Sequence, residues 1–187
     1  MSARPKERLE IRLAGSGGQG MILAGIILAE AAAIYDGLDA VQTQTYGPES
    51  RGGATKAEVI VSRTGQEIDY PKVTSPDVVL AMNQESYDKY SGGLGQGSVV
   101  VVDSGFVEKT KEGPAKVYPL RITDVAIEAA GRAIVANIVA LGAIVGLTGV
   151  VSREAITQAV LARVPKGTEE MNKKALEAGF AAVASLR

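Results

Sequence analysis

A glycine-rich hexapeptide, GSGGQG at Gly15–Gly20, is the part of the chain whose spacing points most directly to chemistry. Glycines at the first, third and sixth positions are typical of a turn that joins a strand to a helix and holds a phosphate group. The apolar residues IRLA precede it, and a stretch rich in Ala, Ile and Leu follows it. A helix N-terminus binds anions through backbone N–H groups that have no partner inside the helix. The predicted cofactor-binding residues of this first turn are Gly15, Ser16, Gly17, Gly18, Gln19 and Gly20.

A second glycine-rich turn, TYGPESRGG at Thr45–Gly53, closes the next predicted strand, and we expect it at the same edge of the sheet. Its ends are fixed by Gly-Pro and Gly-Gly pairs. Glu49 and Arg51 between them fit either a solvated ion pair of little energetic value or a recognition element for a partner or an active site. The residues predicted for this second turn are Tyr46, Gly47, Pro48, Glu49, Ser50, Arg51, Gly52 and Gly53.

The acidic residue that completes a dinucleotide site is missing. That residue ends the second strand and binds the ribose hydroxyls. Here the predicted strand ends in Gln42–Tyr46, and the nearest acids, Asp36 and Asp39, precede the strand. A nicotinamide or flavin dinucleotide is therefore poorly supported. On spacing alone, a tight turn that needs small residues for its backbone geometry fits equally well.

Composition excludes several classes of chemistry. The chain has 187 residues, with no Cys and no His, so thiolate nucleophiles, Cys-ligated iron–sulfur clusters and imidazole bases are ruled out, and we expect no metal site. The 20 basic residues nearly balance the 21 acidic ones, which argues against binding to a nucleic-acid backbone. No signal-peptide or membrane-spanning segment is evident, which predicts a soluble, cytoplasmic protein without membrane contact.

The alternation of strands and helices predicts a three-layer αβα sandwich, with a Rossmann-like, mostly parallel or mixed sheet in a single domain over residues 1–187. The short apolar runs VVLA and VVVV are typical of strands that are buried on both faces. The predicted strands are Leu9–Ala14, Ala40–Tyr46, Lys56–Ser62, Asp77–Met82, Ser98–Asp103 and Val117–Leu120. The predicted helices are Met21–Tyr35, Gln84–Tyr90, Thr123–Gly131, Ala133–Thr148, Ser152–Arg163 and Thr168–Leu186.

Four segments together resemble the gamma subunit of the 2-oxoacid:ferredoxin oxidoreductases, and the resemblance runs from Ile11 to about Phe180. The segments are GSGGQG, QTQTYGPESRGGATKAEVIVS, DVVLAMNQESYDKY and ANIVALGAIVGLTG. Within the family, TQTYGPESRGG followed by Lys-Ala-Glu resembles the 2-oxoglutarate type, whereas pyruvate-type gamma chains tend to read FGPERRGAP. The beta subunit of indolepyruvate ferredoxin oxidoreductase is a more distant relative, with GGQG and RGG turns but a different sequence between them.

The resemblance implies a complex that oxidatively decarboxylates a 2-oxoacid, forms its acyl-CoA and reduces ferredoxin. Other subunits of such a complex hold thiamine diphosphate, Mg²⁺ and iron–sulfur clusters, so this chain is expected to hold no cofactor alone and to carry no catalytic residue. Its implied partners are the alpha, beta and ferredoxin-like delta subunits, and a homodimer is possible in isolation. Asn83 and Gln84 are predicted to join the first turn in binding coenzyme A phosphates. The alternatives are a stand-alone Rossmann-like nucleotide-binding enzyme, an indolepyruvate ferredoxin oxidoreductase beta-type subunit, and a free-standing scaffold or regulatory module.

Overall fold

Six strands form one mixed sheet in the computed structural model, which describes residues 7–45, 54–63 and 68–186. The sheet order is β2-β3-β1-β4-β5-β6. Strand β3 is antiparallel to both of its neighbours, β1 and β2, and strands β1, β4, β5 and β6 are mutually parallel. The strands are β1 (Arg8–Ser16), β2 (Asp39–Thr45), β3 (Ala54–Ser62), β4 (Val78–Ala81), β5 (Val99–Asp103) and β6 (Lys116–Leu120).

Helices cover both faces of the sheet, which confirms the predicted three-layer arrangement. On one face, α1 and α3–α6 share a core with side chains such as Ile11 and Leu80. On the other, Tyr87 of α2 packs with Val79 and Val100. The helices are α1 (Met21–Glu30), α2 (Gln84–Tyr90), α3 (Ile122–Ala130), α4 (Ala136–Thr148), α5 (Arg153–Arg163) and α6 (Glu169–Ala182).

The predicted helix boundaries differ from the observed ones in detail. The predicted helix Met21–Tyr35 is α-helical only to Glu30 and ends in a π-helical turn, Ala31–Tyr35. A 3₁₀ turn, Ala133–Val135, precedes α4, where the prediction had one continuous helix. Helix α6 ends at Ala182, four residues before the predicted end. Local periodicity shows that a helix exists better than it shows where the helix begins or ends.

The alternation of side chains along the central strands explains why both faces need a helical cover. In β4, Val78 and Leu80 belong to the larger core, whereas Val79 and Ala81 belong to the smaller one, and all four are buried. Successive side chains of a strand point to opposite faces, so a continuous apolar run is stable only between two apolar layers.

Helices α4 and α6 cross in backbone contact at two glycines. A Cβ atom added to Gly142 would collide with the carbonyl oxygen of Leu176, and one added to Gly179 would collide with that of Val139. Nearly every residue of α4, from Ala136 to Gly146, is buried. The close crossing with α6 therefore helps to bury α4 in the helical layer. Among the described helices, none has the length and hydropathy needed to cross a bilayer.

Candidate functional site

The strand ends that flank the two glycine-rich motifs lie at one edge of the sheet. Strand β1 ends at Ser16, which pairs with Ala54 at the start of β3, and Thr45 at the end of β2 pairs with Lys56. The second turn, with Tyr46, Gly47, Pro48, Glu49, Ser50, Arg51, Gly52 and Gly53, lies outside the described residues. Of its two flanking residues, Ala54 lies next to the end of β1, and Thr45 lies one strand further out. The parallel strands β4 and β5 also end here, so we call this side of the sheet the carboxyl edge.

The first turn is held closed by its own glutamine. The side-chain oxygen Gln19 Oε1 accepts a hydrogen bond from the backbone N–H of Ser16 at 2.7 Å, and the Gln19 backbone N–H donates to the Ser16 carbonyl at 3.1 Å. A Cβ atom at Gly15 would lie 2.6 Å from Gln19 Oε1, so a larger residue there would displace the Gln19 amide from its hydrogen bond to Ser16. Gly17 and Gly18 form the exposed tip. The turn is therefore a fixed loop with an accessible backbone.

Asn83, which was predicted to act together with the first turn, links that turn to α2. Its side-chain amide donates from Nδ2 to Ser16 Oγ at 2.5 Å. Its Oδ1 accepts from the backbone N–H of Ser86 at 2.8 Å and so caps α2. Both hydrogen-bonding ends of the amide are engaged, and the amide fixes the distance between the ends of β1 and β4.

The side chain of Gln84, the second residue predicted beside the first turn, is turned to a different segment. Its Oε1 accepts from the backbone N–H groups of Glu108 and Lys109, both at 3.0 Å. Its Nε2 donates to the Lys109 carbonyl at 2.9 Å. The structure thus joins Asn83 directly to the first turn, whereas the amide of Gln84 anchors the loop that follows β5.

Asn137 on α4 supports the other end of the first turn. This side chain is 5% exposed, and its Nδ2 donates to the carbonyl of Gly20 at 3.3 Å. Gly20 has a φ of 73°, and a Cβ atom there would lie 2.5 Å from Asn137 Nδ2. Buried amides in proteins are generally hydrogen-bonded. The Asn137 amide is satisfied, and its acceptor is the N-cap residue of the helix that begins at the first turn.

The N-terminus of α1 is suited to an anion. Gly20 is its N-cap residue and has no side chain to accept from the first N–H groups, and the first turn of the helix contains no acidic residue. Asn83 caps α2 and Ser152 caps α5, whereas α3, α4 and α6 also lack a side-chain cap. The partial positive charge at the start of α1 is therefore not offset by a side-chain cap or by an acidic residue of its first turn.

An apolar cleft of about 350 Å³ adjoins the first turn. Phe106 and Ile134 line it and are 52% and 72% exposed. Met82 lies in the cleft wall, and Gly18 and Gln19 line the side nearest the turn. No local sequence pattern indicates this cleft, because its lining comes from separate segments whose contact is set by tertiary packing.

The buried carboxylate of Asp103 holds the loop that carries Phe106. It is fully buried at the end of β5, and its Oδ1 accepts from the backbone N–H of Gly105 at 3.1 Å. Its Oδ2 accepts from the backbone N–H and the hydroxyl of Thr123 at 3.1 and 2.5 Å. Asp103 therefore fixes the start of α3 and one wall of the cleft together.

Lys56 and Glu58 of the Lys-Ala-Glu segment belong to a cluster of charged side chains on the sheet. Glu58 Oε1 forms ion pairs with Arg12 at 2.7 Å and Lys56 at 3.0 Å, and Glu58 is buried. The Tyr90 ring lies close to both cations. This cluster connects β1, β3 and α2 and stabilises the sheet beneath the carboxyl edge.

Together, the fold and the site define a Rossmann-like α/β domain with a glycine-rich turn, an uncapped helix N-terminus and an apolar cleft at the carboxyl edge of its sheet. The family model described as "Pyruvate ferredoxin/flavodoxin oxidoreductase" matches residues 10–182. The chain belongs to this family, which confirms the resemblance drawn from the sequence motifs.

Curated relatives and solved structures agree with that assignment. The chain is 50% identical over 179 residues to the 2-oxoglutarate synthase subunit KorC of Methanocaldococcus jannaschii, with 95% of both chains covered. The gamma subunit of a keto/oxoacid ferredoxin oxidoreductase from Geobacter sulfurreducens has a TM-score of 0.85 and 51% identity, over 95% of this chain and 99% of that one. The 2-oxoglutarate:ferredoxin oxidoreductase of Magnetococcus marinus, solved with 2-oxoglutarate, coenzyme A and succinyl-CoA, has a TM-score of 0.84 and 26% identity, over 97% of this chain and 32% of that one.

Proposed function

We propose that the chain is the gamma subunit of a 2-oxoglutarate:ferredoxin oxidoreductase, which converts 2-oxoglutarate and coenzyme A to succinyl-CoA and CO₂ and passes two electrons to ferredoxin. The observation that carries the substrate assignment is the 50% identity to a 2-oxoglutarate synthase subunit over nearly the full length of both chains. The pyruvate-type assignment is less well supported, because the TQTYGPESRGG motif resembles the 2-oxoglutarate type. A stand-alone dinucleotide-binding enzyme is also less well supported, because the acidic residue that would bind the ribose is missing.

Within that complex, the first turn is proposed to hold phosphate groups of coenzyme A. The uncapped N-terminus of α1 supplies N–H donors and a partial positive charge, and Gly17 and Gly18 allow close approach to the backbone. The adjoining cleft, with Met82, Phe106 and Ile134, offers an apolar surface for the uncharged part of the same ligand. Asn83 and Asn137 contribute by fixing the two ends of the turn.

The second turn is proposed to contact a neighbouring subunit or to close over the substrate. Tyr46, Glu49 and Arg51 are the residues of interest there. Supporting this role is the position of the strand ends that carry the turn, Thr45 and Ala54, at the same edge as the first turn. A ligand held at the first turn would then lie between this chain and its partner.

Thiamine diphosphate, Mg²⁺ and iron–sulfur clusters are proposed to reside on the alpha, beta and ferredoxin-like delta subunits of a cytoplasmic complex. The absence of Cys from the sequence agrees with this division for Cys-ligated clusters. Under this proposal, the gamma chain supplies binding and closure, and the oxidation occurs on groups that other subunits hold.

The test is anaerobic capture of the tagged chain from its native cell, followed by assay of the eluate for reduction of a viologen dye. We expect larger subunits in the eluate and dye reduction that requires both 2-oxoglutarate and coenzyme A. Reduction with pyruvate in place of 2-oxoglutarate would overturn the substrate assignment. Recovery of the chain alone, inactive and with a bound dinucleotide, would overturn the proposed function.

A further inference from the structure

Helix α1 is apolar around its whole circumference, yet only part of that circumference is covered. Residues 21–35 read MILAGIILAEAAAIY and contain one charged side chain, Glu30. Helices of this composition in soluble proteins are normally buried on all sides. Helix α4 is such a case in this molecule, since its residues from Ala136 to Gly146 are all buried.

The outer side of α1 lacks a comparable cover. Its buried residues, such as Met21 and Leu28, face the sheet and the core. Leu23 is 37% exposed and Ile34, in the π-helical turn, is 66% exposed. The exposed and half-buried side chains follow helical spacing and include Glu30 and Tyr35. We call the aliphatic members the outer stripe of α1: Ile22, Leu23, Ile26, Ala29, Ala33 and Ile34.

Other helices on the same layer show what a solvent-facing surface looks like in this protein. Helix α6 exposes Glu170, Lys173, Lys174 and Glu177, and α5 exposes Arg153, Glu154 and Gln158. Glu30, the one charged residue of α1, forms an ion pair with Arg163 of α5. Arg163 donates from Nε to Glu30 Oε2 at 2.7 Å, and this hydrogen bond and the charge of Glu30 raise the pKa of Arg163. The outer stripe is thus an apolar surface that is interrupted by the Glu30–Arg163 ion pair and adjoins the polar face of α5, which is the pattern of a contact surface and its rim.

The length of one relative indicates which partner covers the outer stripe of α1. In the Magnetococcus marinus enzyme, the match to this chain takes up 32% of a longer chain, at a TM-score of 0.84. There the domain is covalently continuous with the remaining two thirds. In the KorC subunit of Methanocaldococcus jannaschii, by contrast, the matching domain takes up 95% of the chain. A domain arranged in this way attaches to the equivalent of that remainder through a non-covalent surface.

We propose that the outer stripe of α1 is the docking surface for the partner subunit that corresponds to the remainder of the fused chain. The inference rests on the proposed function, because it assumes that such a subunit accompanies this one. Since α1 begins at the first turn, a partner seated on the stripe also lies beside the proposed coenzyme A site. The stripe extends the contact away from that edge, along the helix to Ile34.

The experiment uses two variants of opposite charge, Leu23→Lys and Ile34→Glu, in the tagged chain expressed with its neighbouring subunits. Both side chains are partly exposed, so the isolated variants should keep the thermal unfolding midpoint of the unchanged chain. Gln158→Lys and Gln158→Glu place the same charges on the exposed face of α5 and are the matched controls. We expect capture of the partner subunit to fall about tenfold or more for both stripe variants, because each buries an unpaired charge, and to stay unchanged for the controls.

Partner capture that survives both stripe substitutions would overturn the inference. It would also be overturned if the substitutions abolished self-association of the isolated chain and left partner capture intact, because a second copy would then be the occupant. If the unchanged chain captures no oxidoreductase subunit at all, the proposed function fails, and the docking inference fails with it. Normal capture by the unchanged chain and by both stripe variants would refute the docking inference alone.

Discussion

A negative charge placed at the tip of the first turn tests whether that turn binds phosphate. Gly18 is exposed, and no heavy atom lies within 4 Å of the position where its Cβ would stand. Gly18→Asp therefore adds a carboxylate without a steric clash. The residue has a φ of 91°, which is strained for any side chain. Gly18→Asn has nearly the same shape and shares that strain, so the comparison of Asp with Asn isolates the effect of charge.

The size of the effect follows from Coulomb's law. For a carboxylate about 6 Å from a phosphate, with an effective dielectric constant of roughly 40 at this exposed site, the repulsion is about 1.4 kcal/mol per unit charge. That energy corresponds to about a tenfold loss of affinity, and more than one phosphate charge near the turn would increase it. Raising the ionic strength from about 0.1 M to 1 M shortens the Debye length from about 10 Å to 3 Å and should remove most of the loss.

Isothermal titration of coenzyme A into the assembled complex measures this difference directly. We expect the dissociation constant for Gly18→Asp to rise about tenfold over that for Gly18→Asn at low salt, and the two to converge at high salt. Desulfo-coenzyme A gives the same binding measurement without turnover. Equal affinities for the Asp and Asn variants at low salt would refute phosphate binding at this turn, whatever the affinity of the unchanged complex.

Three further predictions concern residues that support the site. Gly142→Ala should lower the free energy of unfolding, measured in urea, by about 1–3 kcal/mol, because the added Cβ would collide with a backbone carbonyl. Gly113→Ala, where the Cβ would stand in open space, is the control and should not destabilise the chain. Equal stabilities of the two variants would contradict the close crossing of α4 and α6. Asn137→Ala should raise the KM for coenzyme A more than it lowers kcat, because it removes the hydrogen bond to Gly20; an unchanged KM would separate Asn137 from the turn. Arg51→Ala and Glu49→Ala should reduce either partner recovery in a pull-down or turnover of 2-oxoglutarate, and normal values of both would exclude the second turn from the interface.

The sequence predicted the existence and type of the main elements because the patterns that specify them are local. The runs VVLA and VVVV are buried strands, and the glycine spacing marks the junction of β1 and α1. The order of the strands in the sheet could not be predicted from local patterns. Strand β3 pairs with both β1 and β2, and nothing in the local pattern of Ala54–Ser62 specifies which strand it will insert beside.

The site shows the same division between local and long-range information. Asn83 was predicted beside the first turn because it follows β4 directly, and parallel strands end at one edge. The contact between Asn137 and Gly20 joins residues 117 positions apart, and only the packing of α4 against α1 creates it. Phe106 and Ile134 come from two loops that meet across the cleft, and neither loop has a distinctive motif of its own.

The position of β3 also limits what the first turn can recognise. In a dinucleotide-binding fold, the strand that carries the ribose-binding acid lies next to the strand that enters the glycine turn. Here β3 separates β2 from β1, so the end of β2 is two strand spacings, about 10 Å, from the turn. An acid placed at the end of β2 would therefore be remote from a ribose whose phosphate lies on α1. If the turn holds a phosphate group as proposed, selectivity for one phosphorylated ligand over another has to come from the neighbouring cleft, the second turn or the partner subunit.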